Sequence, residues 1–201
     1  MIAVGFNGSP VKGSNCEILL KKVLEGAESE DCTTACFHLN DLDILACQSC
    51  GESPYPDDCF FHDGMDEIYR YLIEADIIVV SSPVYFDSVS AQVKLFIDRC
   101  NCFRPAIFPK EGEEEPERVK FLHRDFKHRK GLIILSGGQR QKFACARTVI
   151  KSLFEWLNIE YAGELNTRGS SLKKGIVIEN ESLIQEAFQI GKYLASQHPS
   201  D

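Results

Sequence analysis

The chain has 201 residues, and at roughly 150 residues per domain that length suggests one domain with room for an insertion. Its 44% hydrophobic and 26% charged residues make an ordinary globular mixture, which excludes a collagen-like repeat, a coiled coil or a disordered tail. The 22 Lys and Arg against 30 Asp and Glu give a formal charge of −8, which argues against non-specific binding to nucleic acid or to an anionic membrane.

No apolar run approaches the ~20 residues of a membrane span. Met1-Ile2-Ala3-Val4-Gly5 enters a strand-like run with no basic region or cleavage site before it, so a cytoplasmic chain is expected. Ile2–Phe6 is the first strand candidate, followed by a turn-rich loop from Asn7 to Asn15. Ile18, Leu19, Lys22, Val23 and Gly26 recur at helical spacing and predict a helix over 15–27, ending at Gly26 or just beyond. Thr33–Leu39 is a second strand candidate, and 40–62 is irregular, with Gly51, Pro54 and Pro56. Asp63 can cap a helix over 64–75. Residues 76–81 then form a continuous β-rich run, the mark of a strand buried on both faces of a parallel sheet.

The alternation continues with a helix over about 88–102, an apolar strand at 131–136, a helix over 141–157, a strand at 159–165 and a closing helix marked by Leu183, Ala187, Ile190 and Leu194. Five strands each followed by a helix predict a three-layer α/β/α sandwich in one domain, 1–201, because right-handed crossovers place helices on both faces of a parallel sheet. The exception is an insertion at about 104–130, acidic in its first part and basic from Arg118 to Lys130. A segment this long reads as a solvated insertion, a lid or a contact surface.

In such a sheet, ligands bind beyond the carboxyl ends of the strands, and three of those ends carry unusual loops. The first is Gly8-Ser9-Pro10-Val11-Lys12-Gly13-Ser14-Asn15, where glycines permit close approach, hydroxyls donate and a helix N-terminus favours an anion. Ser14 stands where a Walker loop needs lysine, and no Gly-x-Gly-x-x-Gly follows the strand. What remains suits one terminal phosphate held by Ser9, Ser14, Asn15 and backbone amides with Lys12 nearby, against a plain capping turn. The second loop, Ser82-Pro83-Val84-Tyr85-Phe86-Asp87-Ser88, offers two aromatics as an edge for a flat ring, or as packing onto the sheet. The third, Ser136-Gly137-Gly138-Gln139, allows close approach of backbone to a ligand, and judged alone is an ordinary turn.

The Gly8-Ser9-Pro10 loop ending in Ser14-Asn15 resembles the phosphate loop of the NADPH-dependent FMN reductases and iron–sulfur flavoproteins. The stretch Ala75-Asp76-Ile77-Ile78 through Ser82-Pro83-Val84-Tyr85, then Ser88-Val89-Ser90-Ala91-Gln92 and Lys94 to Asp98-Arg99, resembles them as well. The Gly137-Gly138 loop also fits. The resemblance covers roughly residues 1–165 and implies a flavodoxin-like fold, strand order 2-1-3-4-5, with one non-covalent FMN. It implies that Ser9, Lys12, Ser14, Asn15 and Cys16 hold the phosphate, that Pro83, Val84, Tyr85, Phe86 and Ser88 contact the isoalloxazine, and that Gly137, Gly138 and Gln139 line its other rim. It further implies a homodimer or homotetramer.

Nine cysteines in a chain with no sign of secretion read as reduced thiols. Cys16, Cys32, Cys36, Cys100, Cys102 and Cys145 lie in apolar or helical contexts and read as small buried hydrophobes. Cys47, Cys50 and Cys59 stand where iron–sulfur flavoproteins carry four cysteines for a [4Fe–4S] cluster, but Ser53 occupies the position of the third. Plain thiols or a reversible disulfide come first, zinc held with His62 second and an incomplete cluster third, so no metal is assigned. The expectation for function is an FMN-dependent oxidoreductase passing electrons from NAD(P)H, its co-substrate, to a quinone, flavin or protein acceptor, with no side chain acting as acid or base. The rival is an electron-transfer protein that binds FMN without turning over nicotinamide. A thiol phosphatase is excluded, because no cysteine has an arginine six positions on.

Overall fold

The alternation of apolar side chains along each strand sends neighbours to opposite faces of a sheet, and both faces here are covered by helices. The computed structural model describes residues 1–50, 58–104, 106–107, 112, 120–121, 126–169 and 174–197. The strands are β1 (Ile2–Asn7), β2 (Thr33–His38), β3 (Ile77–Pro83), β4 (Arg129–Gly138) and β5 (Ile159–Gly169). All pair in parallel, in the order β2-β1-β3-β4-β5, the flavodoxin-like arrangement. The helices are α1 (Asn15–Glu28), α2 (Met65–Glu74), α3 (Ala91–Arg99), α4 (Ala144–Trp156) and α5 (Glu181–Ser196).

Val4, Phe6, Ile78, Val80, Ile133 and Leu135 project to one side and pack with residues of α2, α3 and α4. Ala3, Ile77, Val79, Leu132, Ile134 and Leu165 project to the other and pack with α1 and α5. Every residue of β3 is buried, as its position at the sheet centre requires.

Several boundaries differ from the sequence reading, each for a tertiary reason. Helix α1 runs through Gly26 to Glu28. The glycine is there for close approach: a Cβ on it would lie 2.0 Å from the Phe188 carbonyl of α5, and one on Gly191 would lie 1.8 Å from the Val23 carbonyl. Helix α3 is shorter than 88–102, because Ser90 caps it and 100–103 tighten into a 3-10 turn. Asp63 lies before the N-cap of α2, Gly64, and accepts the Met65 amide at 2.9 Å. Strand β4 extends through Gly137 and Gly138, which pair with Arg168 and Gly169, so these glycines end a strand rather than sit in a loop; β5 continues four residues beyond Leu165 to receive them. Within the 104–130 insertion, 106–107 pair antiparallel with 120–121. Most of that insertion, and Ser53, lie outside the described residues.

Candidate functional site

The three expected loops leave β1, β3 and β4, which are neighbours in the sheet, and hydrogen bonds join them to one another. The Gly8 amide donates to the Ser81 carbonyl at 2.8 Å. The Gly8 carbonyl accepts the Ser90 hydroxyl at 2.7 Å. A Cβ at Gly8 would sit 2.1 Å from Cγ2 of Val93, so only glycine lets the first loop lie this close to the start of α3. The Val84 amide donates to the Ser136 carbonyl at 2.7 Å, and Asn15 Nδ2 reaches the Ser136 hydroxyl at 3.4 Å. The Lys142 amide donates to Asp87 at 2.8 Å, which joins the second loop to the third.

Within the first loop, the Ser9 amide donates to the buried Asn7 side chain at 3.0 Å, and the Ser9 hydroxyl accepts the Val11 amide at 3.2 Å. Ser14 caps α1 through the Glu17 amide at 3.3 Å. Asn15 begins α1 and accepts the Val177 amide at 3.1 Å. Lys12 is exposed and pairs with Asp41 at 2.8 Å. Cys16 is buried, and burial pushes its thiol up to about 12, so its side chain is an inert hydrophobe and only its main chain faces the loop's chemistry. Glu17, which sequence reasoning passed over, braces the loop from below by accepting the Gly13 amide at 2.6 Å. Burial opposes its charge, but Lys21 at 2.7 Å and the Gly13 amide prevail and hold the carboxyl below its usual range.

The second loop is a tight hairpin in which Tyr85 and Ser88 exchange main-chain bonds at 2.9 and 3.0 Å. Phe86 and Asp87 form its tip with φ of 48° and 62°. Such turns favour Asn-Gly, and a bulky residue held left-handed costs about 1–3 kcal/mol. Phe86 is 102% exposed and Tyr85 45% exposed, so neither packs down on the sheet, while Val84 is buried and offers only its main chain. Pro83 ends β3 and is buried there. In the third region, the Gly138 amide donates to Gln141 at 2.5 Å and Gln139 is exposed. Ser90, Asn7 and Glu17 are the residues that sequence reasoning missed. Ser90 had a signal, as a serine just before an apolar-periodic run.

Residues 1–166 match the family described as NADPH-dependent FMN reductase. The chain belongs to that family. It is therefore an oxidoreductase of a family of FMN-binding flavoproteins. Over 159 residues the chain is 30% identical to an iron-sulfur flavoprotein of Methanosarcina thermophila, spanning 79% of this chain and 74% of that one. An iron-sulfur flavoprotein of Archaeoglobus fulgidus is 36% identical over 114 residues, 56% of this chain but only 52%, about half, of the relative's own length. Among solved structures, the NAD(P)H:quinone oxidoreductase of Methanothermobacter marburgensis superposes with a TM-score of 0.66 at 14% identity, covering 96% of this chain and 98% of that one. At that identity the likeness shows the fold.

The donors of the first loop fit the FMN family's needs: hydroxyls, an amide side chain and a helix N-terminus suit a phosphate monoester. The cysteine segment offers Cys47, Cys50 and Cys59, three thiolates where a [4Fe–4S] cluster takes four. Among the described residues no three His, Cys, Asp or Glu side chains come together as a metal site. Cys59 instead accepts from the Arg99 guanidinium at 3.6 Å, Cys47 accepts the Ser49 amide at 3.4 Å, and His62 faces Asp66 at 3.4 Å. Cys47 and Cys59 are thiols outside any disulfide. Arg99 itself is 1% exposed and bonded to Asp63, and it closes α3 about 13 Å along the helix axis from Ser90, at ~1.5 Å per residue.

Proposed function

We propose that the chain is a single FMN-binding domain over 1–201, with its insertion at 104–130, that passes electrons from NAD(P)H through FMN to a quinone, flavin or protein acceptor. The observation that carries this reading is the joining of the β1, β3 and β4 loops through Gly8, Ser81, Ser90, Val84 and Ser136. Such joining gives one preorganised seat at the carboxyl end of the sheet.

In this reading Ser9, Ser14 and Asn15 hold the phosphate with the main-chain amides of the α1 N-terminus, Cys16 included, and Lys12 adds charge from the rim. Glu17 keeps Gly13 in place beneath them. Pro83, Val84 and Ser88 line the ring's edge, Tyr85 and Phe86 offer it apolar faces, and Gly137, Gly138 and Gln139 line the opposite rim. Bound FMN supplies hydride acceptance and one-electron release, so the protein's task is position and electrostatics. The fully exposed Phe86 supports a homodimer or homotetramer that covers it. Thiols at Cys16, Cys32, Cys36, Cys47, Cys59, Cys100 and Cys145 support a reducing, cytoplasmic setting. Among the described residues no helix is long and apolar enough to cross a membrane.

Titration of the purified protein with FMN is expected to quench flavin fluorescence saturably at one equivalent, and NADPH is expected to bleach the bound flavin. Absence of saturable quenching overturns the reading. Bleaching by a reduced protein carrier but not by nicotinamide would move the assignment to an electron-transfer protein, a reading that the iron-sulfur flavoprotein relatives favour.

A further inference from the structure

Asn7 ends β1 and is buried, and strand register sets it beside His38, which ends β2. The orientation of its amide follows from its partners. The Ser9 amide can only donate, so the atom that it meets at 3.0 Å is the Asn7 oxygen, Oδ1. The Asn7 nitrogen, Nδ2, then faces His38 Nδ1 at 3.0 Å. That nitrogen also only donates, so Nδ1 must accept and the neutral ring carries its proton on Nε2. His38 Nε2 in turn lies 3.8 Å from Glu17 Oε1. The first loop is thus tied to one imidazole by two routes, through Asn7 at Ser9 and through Glu17, whose other oxygen holds the Gly13 amide.

A proton added to Nδ1 sets two donors against each other across 3.0 Å. The clash is relieved when Asn7 turns its amide over, which offers its oxygen to the ring and its nitrogen to Ser9. A buried main-chain donor then loses its acceptor. It is also relieved when the charged ring swings to Glu17 and draws that carboxylate from Gly13. By either route the loop loses a brace. The charged groups around the ring decide the sign of the effect. Glu17 and Lys21 face it from α1, joined to each other at 2.7 Å. Asp41 lies near it in the 3-10 turn Leu39–Asp41, where Lys12 first and His38 last hold its carboxyl below the usual range. A positive ring would by itself favour an anion in the loop, but Glu17 and Asp41 already answer that charge, so the lost brace prevails.

We propose that His38 is a positioning residue of the flavin seat: neutral, it locks Asn7 against Ser9 and keeps the first loop ready for FMN, and protonated, it loosens that loop and weakens FMN binding. The inference rests on the reading that this loop holds the FMN phosphate. In flavin-free protein, nuclear magnetic resonance can follow the His38 ring nitrogens and the Ser9 amide from about pH 8 to about pH 5, the range over which histidines change charge. The neutral ring is expected to carry its proton on Nε2, and the Ser9 amide to shift with the same midpoint as the ring. A neutral ring protonated on Nδ1, or a Ser9 amide that ignores the ring, overturns the proposal.

Fluorescence titration at both ends of that range then gives the FMN dissociation constant for wild type, His38→Asn and His38→Leu. Asparagine offers an oxygen near the place of Nδ1 and cannot be protonated, whereas leucine accepts nothing from Asn7. The FMN phosphate takes up its own proton near about pH 6 in every variant, so the measure is the excess in wild type. From high to low pH the wild type is expected to weaken about tenfold more than His38→Asn, the effect of one unmade hydrogen bond. His38→Leu is expected to bind about tenfold more weakly than His38→Asn at high pH. Equal pH dependence in wild type and His38→Asn overturns the proposal. A shared midpoint of His38 and Ser9 in protein that takes up no FMN supports the coupling while sinking the flavin reading.

Discussion

At the carboxyl end of the sheet, neutral groups do the joining: Gly8, Ser81, Ser90, Val84 and Ser136 tie three loops together by hydrogen bonds that involve the main chain. Between α2 and α3, where the cysteine segment runs, charge does it instead. Arg99 draws in Asp63, the carbonyls of Leu45 and Phe61, and the Cys59 sulfur. The first region leaves hydroxyls and amides able to exchange their partners for a ligand's oxygens. The second commits its strongest donor to the interior, and it takes Cys59 with it. Both regions carry suggestive motifs, one joined through neutral main-chain bonds and the other around a buried ion pair. Spacing along the chain is thus necessary for a site but does not assemble it.

Substitutions can break this contrast, and the largest effect is expected at Asp63. Asp63→Ala leaves the buried Arg99 cation without its carboxylate, and a loss of about 3–5 kcal/mol in chemical denaturation is expected. The same pair has a pH signature. Burial raises the carboxyl, but Arg99 and the amides of Leu45 and Met65 outweigh it, so the folded pKa lies below the ordinary 3.8. The pair's stabilisation is therefore full above the unfolded pKa and lost as pH falls through the folded value. Acid denaturation of the Ala variant should lack that component. Equal stability of wild type and variant would mean that charge does not hold this region.

A smaller effect, on the other side of the comparison, is expected at Gly8. Gly8→Ala forces a methyl against Val93, a clash of about 1–3 kcal/mol, and moves the loop from Ser81. FMN affinity is expected to fall more than tenfold while far-UV dichroism is retained. Unchanged affinity would show that the loop does not carry the phosphate.

The smallest and most discriminating change is Phe86→Gly. Relief of the left-handed φ at an exposed position is expected to stabilise the flavin-free protein by about 0.5–1 kcal/mol. The loss of an aromatic face weakens FMN binding at the same time. A variant that is less stable would mean that Phe86 packs within the fold rather than serving the seat.

Much of this was legible in the amino-acid sequence, for local reasons. The all-apolar runs at 77–80 and 132–135 require a strand covered on both sides, and the loop from Gly8 to Asn15 announces a close turn onto a helix N-terminus without naming its braces. Glu17 and Asn7 were not legible, because a carboxylate in a helix's first turn reads as an ordinary solvated acid. Its contact with the Gly13 amide exists only once the loop has folded back. The spacing of Cys47, Cys50, Cys59 and His62 was equally legible and left plain thiols or a disulfide, zinc and an incomplete cluster open, in that order. In the folded chain Arg99 reaches across from α3 to Cys59.

By itself the sequence determined the order of strands and helices and the parallel sheet, and it located the three strand-end loops, since periodicity, burial and turn residues act within a few residues of one another. Tertiary structure decided how far each element runs, as where Gly26 stays helical against α5 and the Gly137-Gly138 pair is drawn into β4 by β5. It also decided which polar groups meet, because those contacts join residues as far as 162 positions apart, as Asn15 and Val177 are. Only the closing of the sheet brings such pairs within bonding distance.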